Sequence, residues 1–180
     1  MIKKCISMVA VLTCLVFLTA CGSEQKTDAV QQQPAGQTEK IETGMTAPDM
    51  ELVAFDGKKE KLSALYADGP VFMNFWASWC PPCVQEMPDI ERAYNAYGTK
   101  IHFVSVNLDT KREDAQAFWQ KGRFTMPLYG GDMNRVGKDY HITGIPVSVL
   151  IDKGGKILDV RVGSMSGTEL EAFLKPAVNK

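Results

Sequence analysis

From residue 45 onward the apolar positions fall into short unbroken runs and longer helical spacings that take turns along the chain. Residues 71–77, VFMNFWA, are apolar except for Asn74. A run of that length without alternation predicts a strand buried on both faces. Residues 101–107, IHFVSVN, predict a second central strand. Ahead of them, residues 49–54 and 58–62 flank Asp56-Gly57, the signal of a tight hairpin turn. Residues 81–97 have helical spacing, with Pro88 expected to kink the helix. Residues 110–120 predict another helix, opened by Thr110-Lys111-Arg112-Glu113 as a capping box. A short 127–129 segment and a helical turn over 134–140 follow. Residues 147–152 and 156–162 predict a hairpin about Gly154-Gly155. Ser166-Gly167-Thr168-Glu169 caps a terminal helix reaching about residue 178. The alternation predicts an α/β domain, a central mixed sheet flanked by helices.

The first 44 residues have a different character. Residues 1–20 join Lys3 and Lys4 to an uncharged apolar run over 6–18, the pattern of a signal peptide and short for a membrane span. An uncleaved N-terminal anchor is the alternative. Leu18-Thr19-Ala20-Cys21 resembles the bacterial lipobox, which implies diacylglycerol on the Cys21 thiol and cleavage just before it. Stable anchoring needs two or more acyl chains. Residues 22–43 hold no aromatic residue and carry a Gln run, so residues 21–44 read as a lipidated cysteine and flexible tether. A coil of about twenty residues reaches roughly 25 Å. The expected domain is 45–180.

Composition excludes one class of partner. The formal net charge is −1, with no concentration of Lys and Arg suited to phosphates, so no nucleic acid is expected. Removing Lys3 and Lys4 makes the remainder slightly more acidic, which points to no particular partner.

Of five cysteines, Cys5 and Cys14 fall in the apolar leader and Cys21 in the lipobox. Cys80 and Cys83 remain, in Trp76-Ala77-Ser78-Trp79-Cys80-Pro81-Pro82-Cys83. A zinc site needs four ligands, and the two histidines, His102 and His141, lack metal-ligand spacing. No metal or cofactor is expected, and neither histidine receives a role. A permanent staple closing so small a loop removes little unfolded-state entropy. A redox pair requires one accessible, low-pKa thiolate and a partner close enough to close the ring. Cys80 falls at a helix N-cap, where the helix dipole favours its thiolate, and Cys83 lies inside the first turn.

FWASWCPPC at 75–83 and YHITGIPVSVLID at 140–152 resemble the thioredoxin fold over about residues 45–180. More narrowly the chain resembles the membrane-tethered TlpA/ResA-type thiol–disulfide oxidoreductases, with their N-terminal β-hairpin and helix–strand insertion (here 107–129). The resemblance implies that Cys80 is the nucleophile and Cys83 the resolving thiol, which the helix-terminus geometry also favours. It implies a cis Ile145-Pro146 bond against the two cysteines, leaving the Ile145 backbone free to pair with an extended substrate segment. A rigid turn is the plainer account of Pro146. Trp79 is either part of an apolar docking surface or a half-exposed ring packed on its own domain; Trp76 reads as core.

Thioredoxins usually place a buried Asp six residues before the first cysteine. That position is Asn74, which cannot titrate. Glu86 lies three residues after Cys83 on the same helical face, and the ResA-type pattern has a glutamate there that shapes thiol titration. A solvated surface Glu is the alternative. Asp109 to Asp114 reads as a solvated helix start.

Pro81 and Pro82 have no N–H to offer the Cys80 thiolate. A less stabilised reduced form is the better reductant, so a reducing poise is expected. The resemblance implies clients with disulfides, among them apocytochrome c haem-site cysteines, and electrons from membrane relays of the DsbD/CcdA kind. The alternatives are a disulfide oxidase or isomerase, and a non-catalytic lipoprotein whose CxxC binds copper or docks a partner. A peroxidase is disfavoured, since no Thr-x-x-Cys precedes the site.

Overall fold

The computed structural model describes residues 41–179. The expected signal peptide, Cys5, Cys14, the lipidation candidate Cys21 and most of the expected tether lie outside the described residues. The order of elements is β1 (Glu51–Ala54), β2 (Lys59–Lys61), α1 (Leu62–Asp68), β3 (Val71–Trp76), α2 (Pro81–Tyr97), β4 (His102–Asn107), α3 (Arg112–Gly122), β5 (Leu128–Gly130), α4 (Met133–Tyr140), β6 (Val147–Ile151), β7 (Ile157–Val162) and α5 (Gly167–Val178).

Seven strands form one sheet in the order β2-β1-β5-β4-β3-β6-β7. β3, β4 and β5 run parallel, and β1, β6 and β7 pair antiparallel with their neighbours. This is the mixed sheet of the thioredoxin fold, with the N-terminal hairpin and the α3–β5 insertion in the expected places. β3 is buried at every position, because helices cover both of its faces. Met73 and Phe75 point into one core layer with Val104, Val149 and Tyr140. Phe72 and Trp76 point into the other, with Cys83, Met87 and Ile90 of α2 and Leu170 and Leu174 of α5. Asn74 therefore faces α2, since side chains along a strand alternate. At Gly57 the turn takes φ +90°, and Lys58 N–H donates to Asp56 Oδ1 at 2.9 Å. That left-handed backbone is open to glycine at little cost.

Four expectations needed correction. The 58–62 strand ends at Lys61, and Leu62 instead opens α1, a helix absent from the sequence reading. Its leading amides are capped from a distance: Ser63 N–H donates to Asp49 Oδ1 at 2.9 Å and Leu62 N–H to Met50 O at 2.9 Å. The Thr110 capping box does not form. α3 starts at Arg112 with Lys111 at the N-cap and no side-chain cap. The chain is held back by Leu108 N–H bonding Trp76 O at 2.8 Å, so it turns into the helix one residue later. Packing starts before Met45, because Ile41 is buried in the core and Gly44 N–H bonds Ile157 O. The acidic run at α3 is not wholly solvated, as Asp109 shows below. The Ser166 capping box of α5 forms as expected, and α2 continues through Pro88. Among the described residues no helix is long and apolar enough to cross a membrane.

Candidate active site

β3 ends at Trp76, and its exit loop delivers Cys80 to the N-cap of α2, with Pro81 and Pro82 in the first turn. Proline suits those positions because the first helical amides have no partner within the helix. Cys80 N–H donates to Ala77 O at 3.2 Å, and Cys80 O accepts from Val84 N–H at 3.1 Å. Cys80 and Cys83 are joined as a disulfide, with their Cα atoms 5.3 Å apart. Cys83 has no exposed surface and Cys80 keeps 4 %. The sequence reading wanted an accessible thiol; in the disulfide only an edge of Cys80 reaches solvent.

Ile145 and Pro146 close over this turn. Their peptide bond is cis, and Ile145 O lies 3.7 Å from Cys80 Sγ. A disulfide sulfur has no proton, so this is a contact; the reduced thiol has the same carbonyl within reach. Trp79 stands beside the disulfide with 63 % of its surface exposed, while Trp76 is buried and stacks on Trp119.

Glu86 is one helical turn beyond Cys83 on the buried face of α2, and only 3 % of it is exposed. Asn74 Nδ2 donates to its Oε1 at 3.0 Å, and Met165 N–H donates to its Oε2 at 3.0 Å. Burial disfavours the charged carboxylate and raises its pKa from 4.5 to about 7, with the two donors pulling partly the other way. An acid poised there exchanges a proton readily near neutral pH. A carboxyl of that poise beside a CxxC disulfide and a cis-proline loop can serve dithiol–disulfide exchange.

The sequence pattern of the Redoxin family matches residues 42–174. The chain belongs to the Redoxin family. It is a thiol–disulfide oxidoreductase of the ResA type, with Cys80 and Cys83 as its pair. Thioredoxin-like protein YneN of Bacillus subtilis is 35% identical over 138 residues, covering 74% of this chain and 79% of that protein. Thiol-disulfide oxidoreductase ResA of Geobacillus kaustophilus is 30% identical over 162 residues, covering 89% and 90%. Among solved structures, a Chlorobium tepidum protein provisionally named thiol:disulfide interchange protein DsbE superposes with a TM-score of 0.70. It is 31% identical and covers 78% of this chain and 99% of its own.

Three supports of this oxidoreductase's site escaped the sequence reading. Asp109 accepts from Ser78 N–H through both carboxylate oxygens at 3.1 Å and from Asn107 Nδ2 at 2.9 Å. It thereby ties the end of β4 to the loop that carries Trp79 and Cys80. Ser148 stands opposite Asn74 in the β3–β6 register and accepts from its Nδ2 at 3.0 Å. Met165, in the β7–α5 loop, contributes only its backbone, which no side-chain pattern could announce. The Asn107-x-Asp109 spacing was a usable signal, since an Asx pair at a strand end often turns the chain by side-chain hydrogen bonds. His102 pairs with Asp68 at 3.0 Å, away from the disulfide. His141 sits at the left-handed C-cap of α4.

Proposed function

We propose that this oxidoreductase is a lipid-anchored, extracytoplasmic reductase of disulfides in other envelope proteins. Cys80 is its nucleophile, Cys83 its resolving thiol and Glu86 its base. The observation that carries the reading is Glu86 buried one turn from Cys83, with a carboxyl poised near neutrality. Reduced Cys80 attacks a client disulfide as the thiolate, forming a mixed disulfide and releasing one client thiolate. The Cys83 thiol gives its proton to the Glu86 carboxylate and attacks Cys80 Sγ. The mixed disulfide breaks, the second client thiolate leaves, and the Cys80–Cys83 disulfide forms. The client gains two electrons and the enzyme loses two; the client thiolates take protons from solvent.

Trp79, Ile145 and Pro146 form the docking edge in this reading. The exposure of Trp79 supports an apolar contact with the client, and the Ile145 carbonyl beside Cys80 supports pairing with its extended backbone. Clients of the cytochrome c maturation kind and a DsbD/CcdA-type donor follow from the ResA-type resemblance. The anchor follows from the lipobox-like Leu18-Thr19-Ala20-Cys21. A Cys83→Ser variant expressed in cells tests the assignment, since it lacks the resolving thiol. Envelope proteins trapped in disulfide linkage to Cys80 are expected. Trapping through Cys83 in a Cys80→Ser variant instead would reverse the two roles.

A further inference from the structure

The side chain at the strand position six residues ahead of Cys80 joins Glu86 to Ser148. Asn74 is 1 % exposed on the face of β3 that meets α2. Its Nδ2 divides its two hydrogens between Glu86 Oε1 and Ser148 Oγ, each at 3.0 Å. Its Oδ1 is also buried and finds no hydrogen-bond partner among the described residues. Ser105 Oγ, opposite Asn74 in the β3–β4 register, is likewise buried without a hydrogen-bond partner among the described residues, and the amide aims both of its hydrogens at Glu86 and Ser148. With Glu86 ionised, flipping the amide would put Oδ1 against the carboxylate, acceptor on acceptor.

We propose that Asn74 is a positioning residue for Glu86, holding its carboxylate in the orientation that receives the Cys83 proton and keeping the site to a single buried carboxyl. This rests on the reading of Glu86 as the base. Asn74 takes no proton itself and touches no sulfur in the reaction; it acts through Glu86. Beyond Cys80 and Cys83, the ionisable groups that α2 brings to this side of the sheet have partners of their own: Asp89 pairs with Arg92, Glu91 accepts from the Thr125 and Met126 amides, and Tyr97 donates to Glu171 of α5. β7 contributes Arg161, directly across from Ser148 and paired with Glu169 of α5. β3 and β6 place only Asn74 and Ser148 here, and the β7–α5 loop contributes the Met165 amide. No cation is bonded to Glu86 among the described residues, so burial dominates how easily it ionises and the two amide donors act against it.

The consequence separates two substitutions. Asn74→Leu removes a donor to the charged form without adding a titrating group, so Glu86 ionises at higher pH. Asn74→Asp places a second carboxyl about 3 Å from the first, the distance that Nδ2 now spans, and two acids that close titrate as a coupled pair.

The test is single-turnover resolution by Cys83 of the 2-nitro-5-thiobenzoate adduct on Cys80, followed against pH. The wild type is expected to show one midpoint set by Glu86. Asn74→Leu should move that midpoint upward by about one pH unit, and Asn74→Asp should split it into two. A purely structural role would slow the reaction equally at every pH and leave the midpoint in place; that result in folded variants overturns the proposal. Glu86→Gln distinguishes the two levels of the argument. If it abolishes the midpoint while both Asn74 variants leave it unmoved, the base assignment stands and the role of Asn74 falls. If Glu86→Gln leaves the midpoint intact, the base assignment fails and the inference falls with it.

Discussion

The Glu86 carboxyl should make the oxidised protein less stable as pH rises from mildly acidic values toward neutrality, and Glu86→Gln should remove that dependence. Burial raises the folded-state pKa from 4.5 to about 7, so between those values the native state holds a proton that the unfolded chain has released. The native state binding more protons means stability falls with rising pH. The contribution is fully present below the unfolded value and is lost as pH passes the folded one. At about 1.4 kcal/mol for each pH unit between the two values, the total is about 3 kcal/mol, most of it lost between roughly pH 4 and pH 7. That is a large share of the roughly 5–15 kcal/mol typical of a domain. Urea unfolding midpoints of the oxidised protein, measured across that range, read it directly, because the disulfide keeps both thiols out of the titration. The substitution also has a constant effect. Its amide places a donor where Asn74 Nδ2 or Met165 N–H already donates, at a cost of about 1 kcal/mol independent of pH. The slope rather than the absolute stability is therefore the readout, and other titrating groups cancel between the two proteins. Parallel curves for wild type and Glu86→Gln would refute the claim that folding raises the Glu86 pKa.

Other consequences concern poise, anchoring and the loop ahead of Cys80. With prolines in place of two amide donors, the Cys80/Cys83 couple is expected to be reducing; a potential near that of the strong oxidants, roughly −120 mV, would make the protein an oxidase instead. Cys21→Ser should leave an unprocessed or released protein in cell fractions, and normal processing with membrane retention removes the lipobox reading. Asp109→Ala takes away both acceptors of Ser78 N–H. A loss of about 1–3 kcal/mol in unfolding experiments is expected, with slower insulin reduction, and unchanged values would show that the loop holds itself.

What could be read from the chain were signals that act within a few residues. Asp56-Gly57 closes its hairpin, Ser166 and Glu169 cap α5, and the unbroken apolar run of β3 announces burial on both faces. Cys80 falls at its N-cap because a buried strand must end before the prolines begin a helix. The spacing of Cys83 and Glu86 on one helical face also follows from 3.6 residues per turn alone. The elements that went unread depend on partners far along the chain. α1 is capped by Asp49, fourteen residues before Ser63, while the Thr110 box is lost because Leu108 is bound to Trp76 across the sheet. Strand pairing brings Ser148 to Asn74 over 74 residues and the Met165 amide to Glu86 over 79. Sequence could say that Asn74 does not titrate and that Glu86 lies near the thiols. Only the packing of α2 on β3 decided that the two side chains meet, and only the β3–β6 register and the fold of the β7–α5 loop added Ser148 and the Met165 amide to them. Burial and hydrogen bonding of a carboxyl are properties of the assembled layers, since desolvation exists only once helices and sheet have closed over it.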